Sequence, residues 1–100
     1  MSDKIQNDKE ASGLRDSITE TDLAILALIN QRIELVKKLR DRKVHQGYPM
    51  VDSKREKWLI SYIREANPGP LSDEGVQELL EKIISLTKSE VYKNPSKSKD

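Results

Sequence analysis

An all-α protein of three helices, one much longer than the other two, is what this chain predicts. Three observations carry that expectation. Apolar residues recur at steps of three and four along most of the chain, and no window alternates over strand length. Proline and glycine gather at two places, Gly47-Tyr48-Pro49 and Asn67-Pro68-Gly69-Pro70, which cut the helical pattern into three pieces.

The first piece runs from Ser12 to about His45 without a proline. Leu14, Ile18, Ile25, Leu28, Ile29, Ile33, Val36 and Leu39 give it an apolar stripe. Ser12 is placed to cap it and Asp16 to meet the positive end of its dipole, with His45 near the negative end. The second helix opens at Asp52 or Ser53, where Ser53 and Glu56 form a capping box, and Leu59, Ile63 and Ala66 supply its stripe. Ser72 caps the third, with Leu71 and Val76 spaced as a hydrophobic staple. Its inner face reads Val76, Leu80, Ile83, Ile84, Thr87 and Val91. Trp58, Tyr62 and Tyr92 are expected to pack, because no basic residues interleave with them as a nucleic-acid platform requires. Residues 1–11 and 93–100 are polar and expected to be disordered tails around one domain spanning 12–92.

Composition narrows the chemistry. The 100 residues are 35% hydrophobic and 35% charged, with 25 Leu, Ile and Val and no Phe, so one small aliphatic core is all the chain can build. Without cysteine there is neither a disulfide, a thiolate metal site nor a thiol nucleophile, and one histidine permits no multi-His metal cluster. Eighteen Lys and Arg against 17 Asp and Glu leave +1, too little for the field that nonspecific nucleic-acid binding needs. The longest apolar run, Leu23 to Ile29, is far short of the roughly 20 residues of a membrane span. No secretory leader opens the sequence, so a cytoplasmic protein is expected.

Helix length then bears on assembly. A first helix of roughly 33 residues is about 50 Å long, whereas a compact domain of this size is roughly 30–35 Å across. The apolar stripe nevertheless continues to the far end. A second copy packed antiparallel about a two-fold axis would cover it, giving an intertwined helical homodimer.

Charged residues stand where a core should be. Arg32 lies in the apolar stripe, and Lys43, eleven residues on, shares its face. Two cations on a half-buried face are costly unless anions meet them. Their stems can pack while their heads reach water, they can pair with Asp52 or Glu56, or they can hold an anionic ligand. Arg15 is seventeen residues from Arg32, roughly 25 Å along the axis. It cannot share a small ligand with Arg32 of its own chain, but in an antiparallel dimer it can share one with Arg32 of the other. Asp52, Arg55 and Glu56 open the second helix as a cap and charge cluster, and Thr87 is placed to bond its own helix carbonyl.

The same positions carry a resemblance. Leu14-Arg15-Asp16-Ser17-Ile18-Thr19-Glu20-Thr21-Asp22 resembles the opening L-R-x-x-I-x-x-x-D of the all-helical (AroQ) class of chorismate mutases. Asn30-Gln31-Arg32-Ile33-Glu34-Leu35 resembles its next block, with Lys43 at the expected distance. Tyr48 to Glu56 resembles the P-x-x-D-x-x-R-E segment, and Asn67 to Ser72 and the Ile83-Ile84 pair complete the order. The family's fold is an intertwined dimer of three-helix chains.

The resemblance implies a conversion of chorismate to prephenate, in phenylalanine and tyrosine biosynthesis. Arg15 of one chain, with Arg32 and Lys43 of the other, would bind the two carboxylates, and Lys43 would also reach the ether oxygen. Asp52 and Glu56 would hold the ring hydroxyl, Arg55 would brace them, Thr87 would stand near a carboxylate, and Leu39 and Ile84 would form apolar walls. An intramolecular [3,3] rearrangement needs no cofactor, metal or nucleophile, only orientation of a flexible dianion and a donor for the developing charge. The family places Gln or Glu four residues beyond the small polar position, where this chain has Val91. Val91 is therefore expected to line the site, with Glu90 or an accessory shikimate-pathway enzyme as other ways to complete it. An isochorismate pyruvate lyase on the same fold, and a non-catalytic helical dimer serving regulation or docking, are the competing functions.

Overall fold

A computed structural model describes residues 8–46 and 52–93, with side chains described for 8–42 and 52–92. Three helices make up the fold: α1 (Lys9–Gln46), α2 (Ser53–Ala66) and α3 (Asp73–Lys93). No strand occurs among the described residues, so the all-α expectation holds. The side chains of Lys43 and His45, the Gly47-Tyr48-Pro49 break and most of both expected tails lie outside the described residues.

Each boundary has a local cause. α1 starts four residues earlier than the Ser12 cap implied. Asp8 caps it instead, its Oδ1 accepting from the amides of Glu10 at 3.0 Å and Ala11 at 3.1 Å. Ser12 has its own amide bonded to the Asp8 carbonyl and sits inside the helix, and Glu10, not Asp16, is the acidic residue of the first turn. Lys9–Ala11, expected in the tail, are therefore helical. Asp and Ser are equivalent caps by chemistry, so composition alone could not choose between them. At α2 the cap is Asp52, which accepts from the Arg55 amide at 3.1 Å, and Ser53 is the first helical residue. α3 is capped by Ser72 as expected, its Oγ accepting from the Gly75 amide at 3.0 Å. Between α2 and α3, Asn67 bonds the carbonyl of Leu71 and the amide of Gly69. Gly69 takes φ 87°, a left-handed conformation that a side chain would strain.

The chain divides into two units, Met1–Gln31 and Arg32–Asp100, and α1 runs through both. The described part of the first unit is helix alone. Leu14, Ile18, Leu23, Ile25, Leu26 and Leu28 are each more than half exposed on it. The second unit holds the core. α2 packs on α3, and Val76, Leu80, Ile84, Thr87 and Val91 are buried along α3, matching its expected inner face apart from the half-buried Ile83. Leu59, Ile60 and Ile63 of α2 are only half-buried, and Ala66 is exposed, so the described residues of one chain do not close the stripe on α2.

Trp58 and Tyr62 depart from their expected packing role. They are 48% and 58% exposed, stacked on each other with ring centroids 5.0 Å apart, and the Arg55 guanidinium lies 4.4 Å from the Trp58 ring. Aromatic spacing on a helix marks contact with something, and here the rings meet each other and Arg55 of their own helix.

Candidate active site

The second unit gathers Arg32, Leu39, Asp52, Arg55, Glu56, Ile84, Thr87 and Val91, and in sequence Lys43 as well. Arg15 belongs to the first unit, where it is exposed and lines a shallow recess of about 270 Å³ with Ser12, Asp16 and Thr19.

Arg32 is the best-fixed of these residues. It is half-buried on α1, and its Nη1 donates to the Thr87 hydroxyl at 2.6 Å. Thr87 donates its own proton to the Ile83 carbonyl one turn back, at 2.7 Å, which leaves a lone pair for the guanidinium. The back-bond expected of Thr87 is therefore present, and it is what turns the hydroxyl into an acceptor for Arg32. Burial pulls the Arg32 pKa below its ordinary value, while the nearby Glu56 carboxylate pushes it back up. The guanidinium has five donors, and one of them is committed to Thr87.

Glu56, half-buried in the first turn of α2, faces a second cation. Its Oε2 lies 2.8 Å from the Lys88 ammonium of α3. The pair borders a cleft of about 280 Å³ between α2 and α3, lined also by Ser53, Ile60 and Ile84. Asp52 is exposed and its side chain caps α2 through the Arg55 amide, while Arg55 itself lies against Trp58. Leu39 is 51% exposed and Ile84 is buried.

Two residues at this end of the molecule were not singled out from the sequence. Lys88 looks like one of many surface lysines until α2 brings Glu56 to it. Arg40, about two helical turns beyond Arg32, donates from Nη1 to the Val91 carbonyl at 2.8 Å and is braced by Asp41 at 3.0 Å from its Nε. That carbonyl lies in the last turn of α3, where intrahelical donors have run out, so Arg40 caps the helix from outside. Nothing in a sequence marks a backbone carbonyl as a partner, but a second arginine two turns along α1 was a usable signal.

Val91, expected to line the site, is 1% exposed, beside 2% for Thr87 and 8% for Ile84, so burial does not set it apart from the other α3 residues expected there. Four positions beyond Thr87, it shares that residue's inward direction along α3. Replacing Val91 with Gln extends a donor toward the ligand if the position lines the site, and in the free protein buries an amide. Burying an amide without a partner costs roughly 1–3 kcal/mol. Chemical denaturation should show that loss, and steady-state kinetics should show turnover rising about tenfold.

Taken together, these features define an all-helical protein that fixes one arginine by a threonine and sets a lysine-paired carboxylate beside it. Residues 14–91 match the model of the chorismate mutase type II family, and the chain belongs to that family. Among solved structures it is similar to chorismate mutase form I from Thermus thermophilus, with a TM-score of 0.76 and 29% identity over 78% of this chain and 98% of that one. Form II from the same organism gives a TM-score of 0.75 at 29% identity, covering 78% and 89% of the two chains. No curated protein gives a significant match to the sequence.

Proposed function

We propose that the chain converts chorismate to prephenate, as a cytoplasmic homodimer whose subunits complete each other's sites, in phenylalanine and tyrosine biosynthesis. The observation that carries this reading is the Arg32–Thr87 bond. It holds a half-buried guanidinium in one orientation with donors to spare, which is what clamping a substrate carboxylate demands. Arg32 binds one carboxylate, Arg15 of the partner subunit the other, and Lys43 meets both a carboxylate and the ether oxygen. Asp52 and Glu56 receive the ring hydroxyl, and Arg55 braces them. Leu39 and Ile84 serve as apolar walls.

The reaction breaks a C–O bond and forms a C–C bond within one molecule, with no proton or group transferred to the protein. Its barrier lies in folding the dianion into a chair and in the charge that gathers on the ether oxygen. Fixed cations reduce the first, and a donor aimed at that oxygen favours the transition state over the ground state. The dimer finds support in the six large apolar residues left open on the first unit and in the open stripe of α2.

The test is direct. Adding purified protein should abolish the ultraviolet absorbance of chorismate, and acid should convert the product to phenylpyruvate. Salicylate and pyruvate from isochorismate would mark a lyase instead, and a chain inert to both substrates would mark a docking module. Gel filtration at low concentration should show no folded monomer.

A further inference from the structure

We propose that Lys88 is a positioning residue, whose ammonium holds the Glu56 carboxylate off the Arg32 guanidinium so that each stays available to the substrate. The ligand's identity rests on the chorismate reading above, whereas the positioning itself does not.

Glu56 is in contact with the Lys88 ammonium at 2.8 Å, and its charge also acts on the Arg32 guanidinium. Thr87 and Lys88 are consecutive residues of α3, so their side chains leave the helix about 100° apart. Thr87 holds the guanidinium at 2.6 Å and Lys88 holds the carboxylate. Two neighbouring side chains on one rigid helix thus tether two opposite charges and keep them from meeting. Without the lysine, the carboxylate is left to the guanidinium whose charge it already acts on and to Lys57 of the same cleft, and an arginine–carboxylate fork is the strongest pairing of these. That fork would occupy the donors Arg32 needs for a substrate carboxylate and the oxygens Glu56 needs for a hydroxyl.

An alternative role for the pair is structural. Lys88 and Glu56 are 39% and 28% exposed, and ion pairs with that much solvent contribute little to stability. A positioning role therefore has to appear in substrate affinity. Lys88→Met should raise KM five- to tenfold, change kcat by less than twofold and leave the unfolding temperature nearly unchanged. Lys88→Arg should restore KM. Since the damage acts through Glu56, adding Lys88→Met to Glu56→Gln should do no further harm. Additive losses, or a wild-type KM in Lys88→Met, would overturn the proposal.

A readout without turnover separates this from the function itself. The guanidinium ¹⁵N signal of Arg32 should shift in Lys88→Met and stay put when Glu56→Gln is added. If the parent fails on chorismate while that signal behaves as described, the function falls and the positioning stands. If chorismate is turned over and the signal is unmoved by Lys88→Met, the positioning falls alone.

Discussion

Arg15→Ala and Arg32→Ala chains should each be nearly inactive alone, and mixing the two should restore activity toward half of wild type. Each arginine is expected to clamp one carboxylate, and losing one preorganised donor costs about 2.7–4 kcal/mol, roughly a hundred- to thousandfold in rate. The recovery follows from topology. In the mixed dimer one site draws Arg32 from the Arg15→Ala chain and Arg15 from the Arg32→Ala chain, so it is whole. The other site lacks both. Seventeen residues of continuous helix separate the two positions, too many for one small ligand to bridge within a chain. Purified heterodimers, separated by tag and assayed for prephenate, give the answer. If they stay inactive, both arginines serve the same chain's site and the shared-site arrangement is wrong.

Lys43→Ala should lower kcat by at least about a hundredfold, within the range for lost electrostatic donors. Lys43 belongs to α1, eleven residues or about three turns beyond Arg32 and within a turn of the helix end at Gln46. An ammonium that only helps to bind the dianion would act on KM, because ground state and transition state carry the same carboxylates. One that meets the ether oxygen acts on kcat, because that oxygen gains charge only as its bond opens. Steady-state kinetics therefore distinguish the two roles, and circular dichroism should show the variant still helical. A variant with near-normal kcat would remove Lys43 from the ether oxygen.

Much of the fold was legible because helices announce themselves locally. The three helices, the Ser72 cap and the inner face of α3 all follow from spacing within a single segment. A boundary slipped where two residues of equal capping ability stood close together, as with Asp8 and Ser12, whereas α2 opens at Ser53 behind an Asp52 cap, within the expected bounds. The site was legible to the extent that its cations interrupt an apolar stripe, which is how Arg32 drew notice. Its partners were less so. The Thr87 back-bond was foreseen, but not that it would aim the hydroxyl at Arg32. Lys88 and Arg40 depend on contacts between helices, one of them to a bare carbonyl, and periodicity cannot see those. For Val91, matching positions by count fixes a helical direction, inward with Thr87, without saying whether a cleft or a neighbour lies there.

The Trp58–Tyr62 stack gives the protein an optical handle. Trp58 is the chain's one tryptophan, so all indole emission comes from α2. Its surroundings are the guanidinium of Arg55, three residues before it, and the ring of Tyr62, four residues after, both held only while that helix is wound. Unwinding α2 would therefore disperse the charge and the stacked ring together, and the emission would change at that moment and not when some distant segment opened. Arg55 also neighbours the Asp52 cap, so a disturbance there reaches the indole within one helical turn. The chain thus carries an unlabelled fluorophore that reports, by colour and intensity, on the helix bordering the proposed hydroxyl pocket.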